Sequence, residues 1–116
     1  MSQSSFTNMK IVGGVLIARP EREKIGEYES PIMKAEIEGE APAAKWKVVM
    51  EMHSVRMVAS AGLGALVSLN QGCKKNGGKL VLCGLDENLK AVFELTKLHR
   101  VLMLVDTTEA AVKAVG

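Results

Sequence analysis

Large rings are scarce in this 116-residue chain, where aromatic residues make up 3% and Phe6, Tyr28, Trp46 and Phe93 are all there are. Side chains that stack on exposed bases are therefore few. With a formal charge of +2 and no basic block, the chain also offers nucleic acid little to hold. No apolar stretch approaches the roughly 20 residues that a membrane-spanning helix needs. The opening MSQSSFTNMK carries no apolar core of a secretory signal. The expectation is a cytoplasmic protein with neither a membrane nor direct nucleic acid as partner. Cys73 and Cys83 have no CxxC spacing and no histidine neighbours, which leaves no pattern for zinc or a redox pair; both read as buried, reduced thiols.

What is present suits a single aliphatic core. Apolar residues are 47% and charged ones 24%, a globular balance, and the length fits one domain over residues 1–116. FTNMKIV and VLIA flank Gly13-Gly14, a pair that supplies the positive φ values of a two-residue hairpin turn. PEREKIGEYE is polar and aperiodic and reads as a surface loop. SPIMKAEIEG has helix punctuation, with Ser30 as N-cap, Pro31 at the first helical position and Gly39 past the end. WKVVMEM reads as a strand. From Ser60 the period changes, and Leu63, Leu66, Val67, Asn70 and Cys73 line one side of a helix that stops before Gly77-Gly78. KLVLCG is a strand, DENLKAVFELTKL a helix capped by Asp86 and burying Leu89, Val92 and Phe93, and HRVLMLV a last strand. DTTEAAVKAV closes as a helix with capping-box spacing at Asp106 and Glu109. The order ββαβαβαβα predicts an α/β fold: one small, mainly parallel sheet of four to five strands, led by an antiparallel hairpin and packed by about four helices.

The stretch VASAGLGAL, Val58 to Leu66, holds the residues that could carry function. Gly62 and Gly64 suggest a dinucleotide fingerprint, but the third position is Val67 and the preceding strand ends too early for the tight turn that motif needs. A nucleophile elbow requires GxSxG, whereas Val58 stands two residues before Ser60, and the only imidazoles, His53 and His99, have no evident orienting partner. Ser60 reads instead as a helix cap. A phosphate on its oxygen would meet the positive end of the helix and add about 1.5 to 2 negative charges to a small, apolar surface.

MEMHSVRMVASAGLGALVSL, continued by NGGKLVLCGLDENLKAVFELTKLHRVLMLVDTTEAAVKAV, resembles the STAS domain of anti-sigma factor antagonists. In that family a strand leads into D-S-[ST]-G-L-G at the start of a helix, and a GG turn precedes the next strand. The resemblance implies the STAS fold and a regulatory module without enzymatic activity or cofactor. It implies binding to a serine-kinase anti-sigma factor, with a phosphatase as a possible second partner, and switching by phosphorylation of Ser60. The implied partner surface is Glu23, Ala59, Ser60, Ala61, Gly62, Leu63 and Gly64, with the glycines admitting a partner closely, on a monomer or weak homodimer. Ala59 stands where the family carries an acid. RPEREKIG replaces the family's acidic G-E-L-D, with Glu23 supplying one acid and Ile25 near the place of the Asp, while Glu51-Met52-His53-Ser54 replaces D-L-S. The alternative is an unphosphorylated STAS scaffold in a signalling or transport assembly, in which Ser60 only caps.

Overall fold

Gly13 and Gly14, at φ +58° and +80°, turn the chain between strands β1 (Thr7–Val12) and β2 (Val15–Pro20), with Val12 paired to Val15 across the turn. The computed structural model describes residues 7–116; Phe6 lies outside the described residues. Strands β4 (Lys47–Glu51), β6 (Lys79–Cys83) and β7 (Met103–Val105) then join β2 in parallel, giving the five-stranded order β1-β2-β4-β6-β7. This is the mainly parallel, hairpin-led sheet that the element order predicts.

Alternation along the strands sends consecutive side chains to opposite faces. Leu16, Ala18, Val48, Met50, Leu80 and Leu82 face helices α1 (Glu29–Glu40), α2 (Ser60–Lys75) and α3 (Glu87–Leu95) in the larger core. Val15, Ile17, Val49, Val81 and Cys83 face α4 (Thr108–Val115), which buries Ala111 and Val115 against them. The α2 seam includes Leu66, Asn70 and Cys73 as expected and adds Ala65 and Leu69, with Leu63 and Val67 partly buried at its margin. Both cysteines are free and buried, and burial pushes the Cys73 thiol up to about 11.

Several boundaries differ from expectation for local reasons. The polar segment before α1 is not all loop. It contains the two-residue strand β3 (Lys24–Ile25), too short to show a period, which pairs in parallel with β5 (Met57–Val58) in a separate ladder. Ser30 is not the cap of α1. It is already helical and its hydroxyl donates back to the Gly26 carbonyl at 2.5 Å, while Gly39 lies within the last turn. The chain then passes through a short 3-10 turn (Ala41–Ala44), and Lys45 and Trp46 at positive φ redirect it, so β4 starts after the tryptophan. HRVLMLV is strand only over its last three residues, because Leu98–Arg100 forms a 3-10 turn. Asp86 does cap α3, accepting from Leu89 N at 2.8 Å. At α4 the cap is Thr107, accepting from Ala110 N, while Asp106 faces Lys90 instead.

The second glycine of Gly77-Gly78 has a steric reason that spacing alone does not reveal. A Cβ at Gly78 would fall 1.9 Å from the Trp46 carbonyl oxygen, where the entries to β4 and β6 cross.

Candidate functional site

The Ser60 region is assembled by the small β3–β5 ladder. Lys24 pairs with Met57 and Ile25 with Val58. Arg56 N and Met57 N both donate to the Glu23 carbonyl, at 2.7 and 2.9 Å, and Ala59 N donates to Ile25 O at 2.9 Å. Backbone pairing thus carries the segment after β2 to the start of α2, joining two stretches that the sequence reading treated separately.

Ser60 is the first residue of α2, not its cap. The cap position belongs to Ala59, whose extended backbone (φ −77°, ψ 171°) ends in a methyl group that satisfies nothing. The first N–H groups of an α-helix have no partner inside it, and the cap side chain supplies none here. The exposed Ser60 hydroxyl has no hydrogen bond among the described residues, so the chain leaves it available to chemistry from outside. Neither histidine bonds to it. The His53 ring lies over Gly84, whose Cβ would come within 2.6 Å of it, and His99 Nδ1 sits 3.2 Å from Phe93 O. Among the described residues no group of His, Cys, Asp or Glu could hold a metal.

An open cleft of about 580 Å³ runs beside the serine. Ala59, Ser60 and Ala61 form one wall, and Lys24, Gly26, Glu27, Tyr28 and Glu29 form the other. Glu29 accepts from Gly26 N at 2.9 Å; that bond, with Lys24 and Arg22 nearby, holds its carboxyl below the usual range. Tyr28 is 76% exposed, and Met57 on the adjacent ladder is 56% exposed, so two large apolar surfaces stand close to a site made otherwise of small residues. These second-wall residues escaped the sequence reading. The one available signal was a lone tyrosine inside a polar run.

The two glycines of the motif do different jobs. A Cβ on buried Gly62 would lie 2.6 Å from Val58 Cγ1 and 2.9 Å from Ile25 O, so its bareness serves packing of α2 against the ladder rather than approach by a partner. Gly64 is exposed with nothing within 4 Å of such an atom. Leu63 turns toward the core. Glu23 contributes its carbonyl to the ladder, while its exposed side chain is not among those lining the cleft.

A second polar cluster lies at the same end of the sheet, on the α4 face. Glu51 takes Arg19 Nε at 3.1 Å on one oxygen and the Thr108 hydroxyl at 2.6 Å on the other. Burial opposes ionisation of Glu51, but the Thr108 bond and the Arg19 charge outweigh it, and the carboxyl is held below its ordinary range.

A hairpin-led, mostly parallel sheet, with α2 opening on small residues beside a cleft, defines a small α/β module of the STAS type. The STAS domain family model matches residues 7–112, and the chain belongs to that family. It is 26% identical over 82 residues to BtrV of Bordetella bronchiseptica, a candidate anti-sigma factor antagonist, with 71% of each chain covered. Among solved structures it is similar to a candidate anti-sigma factor antagonist of Thermotoga maritima, at TM-score 0.86 and 24% identity over 97% of this chain and 96% of that one. It is also similar to SpoIIAA of Bacillus, solved unphosphorylated and phosphorylated. The TM-score is 0.69 in both cases, with identities of 14% and 15% over 93% of this chain and 94% and 97% of those chains. Among the described residues no helix is long and apolar enough to cross a membrane.

Proposed function

We propose that this chain is an anti-sigma factor antagonist: a single, non-enzymatic STAS module of the cytoplasm that binds a serine-kinase anti-sigma factor and is released from it by phosphorylation of Ser60. The observation that carries the reading is the Ser60 hydroxyl, exposed and unbonded at the first position of α2, beside an open cleft. A hydroxyl already engaged as a cap would have to give up that bond before reacting; this one does not. The kinase would transfer the γ-phosphoryl group of ATP. The Ser60 Oγ–P bond forms as the bond to the β–γ bridging oxygen breaks, ADP leaves, and the hydroxyl proton passes to a base of the kinase. Relatives named as anti-sigma factor antagonists, and one solved with and without its phosphate, support the assignment.

Partner binding on this reading covers the cleft mouth. Ala59, Ala61 and Gly64 present little bulk, and Tyr28 supplies the kind of exposed aromatic that often anchors an interface. Ala59 in place of an acid favours a second reading, a constitutive scaffold whose Ser60 is never modified. The test is incubation with the purified kinase of the producing organism and ATP, followed by mass spectrometry and calorimetry. One phosphate at Ser60, tight binding by Ser60→Ala and binding weakened tenfold or more in Ser60→Asp support the switch. Binding by both variants equal to the wild type supports the scaffold.

A further inference from the structure

Three charged side chains line the cleft beside Ser60: Lys24, Glu27 and Glu29. Glu29 is occupied by the Gly26 N–H. Lys24 is exposed and takes part in none of the ion pairs of the described residues. Its place is fixed by the ladder, which sets Lys24 opposite Met57, three residues ahead of the serine. Gly26 keeps room for it, since a Cβ there would come 3.3 Å from Lys24 Cε and 3.2 Å from the Glu29 carboxylate. The lysine therefore stands on the wall opposite the serine with its stem accommodated, near enough to Glu29 to act on it electrostatically but in no ion pair among the described residues.

We propose that Lys24 reads phosphorylation within the chain: its ammonium pairs with the phosphate on Ser60 across the cleft and draws the two walls together. This rests on the phosphorylation reading above. A phosphoserine carries about 1.5 to 2 charges and three acceptor oxygens, against the single charge of a Glu29 already bonded elsewhere, so the phosphate outcompetes the carboxylate for the lysine. The pairing has a direct consequence for docking. A partner that enters between Tyr28 and Ser60 meets a closed, more negative surface in the phosphorylated state, without any rearrangement of the sheet.

The test uses the full chain with phosphoserine installed at position 60 during synthesis, and follows the phosphate by phosphorus NMR titration at low salt. We expect the second ionisation of the phosphate to lie about half a pH unit or more lower in the wild-type chain than in Lys24→Gln. Lys24→Arg retains the shift, and Lys113→Gln on α4 titrates like the wild type. In 1 M salt, where the screening length is about 3 Å, the gap narrows. If Lys24→Gln titrates with the wild type, or if Lys113→Gln moves the phosphate as far as Lys24→Gln does, the pairing is overturned. The phosphate is present in this experiment whether or not any kinase writes it. An unshifted titration therefore defeats the pairing and leaves Ser60 phosphorylation standing, whereas a kinase that ignores Ser60 defeats phosphorylation and leaves the pairing measurable.

Discussion

Two polar regions sit at the carboxyl end of the parallel strands, on opposite faces of the sheet, and they are built on opposite plans. On the α4 face, both oxygens of Glu51 are taken, by Arg19 Nε and the Thr108 hydroxyl. Among the described residues of the α2 face, Ser60 bonds to nothing, Ala59 caps nothing, and Lys24 forms no ion pair. A saturated cluster fixes geometry, because every rearrangement must break a bond in a partly dry setting. An unsaturated one costs little to modify. The chain thus spends its polar bonds on holding α4 to β4 and leaves the α2 end chemically open.

The most severe way to break that contrast is to show that the open region has a rigid inner wall. Gly62→Val forces methyl groups into Val58 and the Ile25 carbonyl, and we expect a loss of about 2–3 kcal/mol in urea unfolding. Next comes the saturated side. Glu51→Gln removes the charge that Arg19 and Thr108 engage and costs about 1–2 kcal/mol at pH 7. The pH dependence follows from the sign of the shift: the folded carboxyl ionises below its unfolded counterpart, so its contribution is complete above the unfolded value and fades as pH falls through the folded one. The stability gap between Glu51→Gln and the wild type therefore closes on acidification below the ordinary glutamate range. A smaller effect of opposite sign belongs to Gly64, where an added methyl meets open space: Gly64→Ala stabilises by about 0.5–1 kcal/mol, read from the same unfolding curves. Smallest is Ser60→Asp, which changes stability by less than about 0.5 kcal/mol because the side chain has no bond to lose. That near-silence in unfolding, set against the change in kinase binding, separates the two regions most cleanly.

The legible parts of this molecule were those whose cause lies within a few residues. Gly13-Gly14 predicts its hairpin because left-handed backbone at two consecutive positions favours glycine. Asp86 predicts its cap because the bond reaches only to Leu89 N. Capping failed as a guide at Ser60 and Asp106 for a related reason. Several residues near each helix start could serve, and the path of the chain entering the helix decides among them: Ala59 took the cap position of α2 and Thr107 that of α4. Gly62 was legible as a required glycine but not in its purpose, since besides neighbouring Val58 it avoids the Ile25 carbonyl of β3, far away in sequence.

By itself the sequence determined the alternation of strands and helices, the hairpin at the start and the small-residue opening of α2 around Ser60, because periodicity and turn chemistry act over one element at a time. Only the tertiary structure decided what faces that serine. The β3–β5 pairing is two residues long on each side and joins segments more than thirty residues apart, so no local pattern announces it. Yet that pairing, together with the packing of α1 on α2, sets Lys24, Tyr28 and Glu29 across the cleft from Ser60 and so gives the hydroxyl its surroundings.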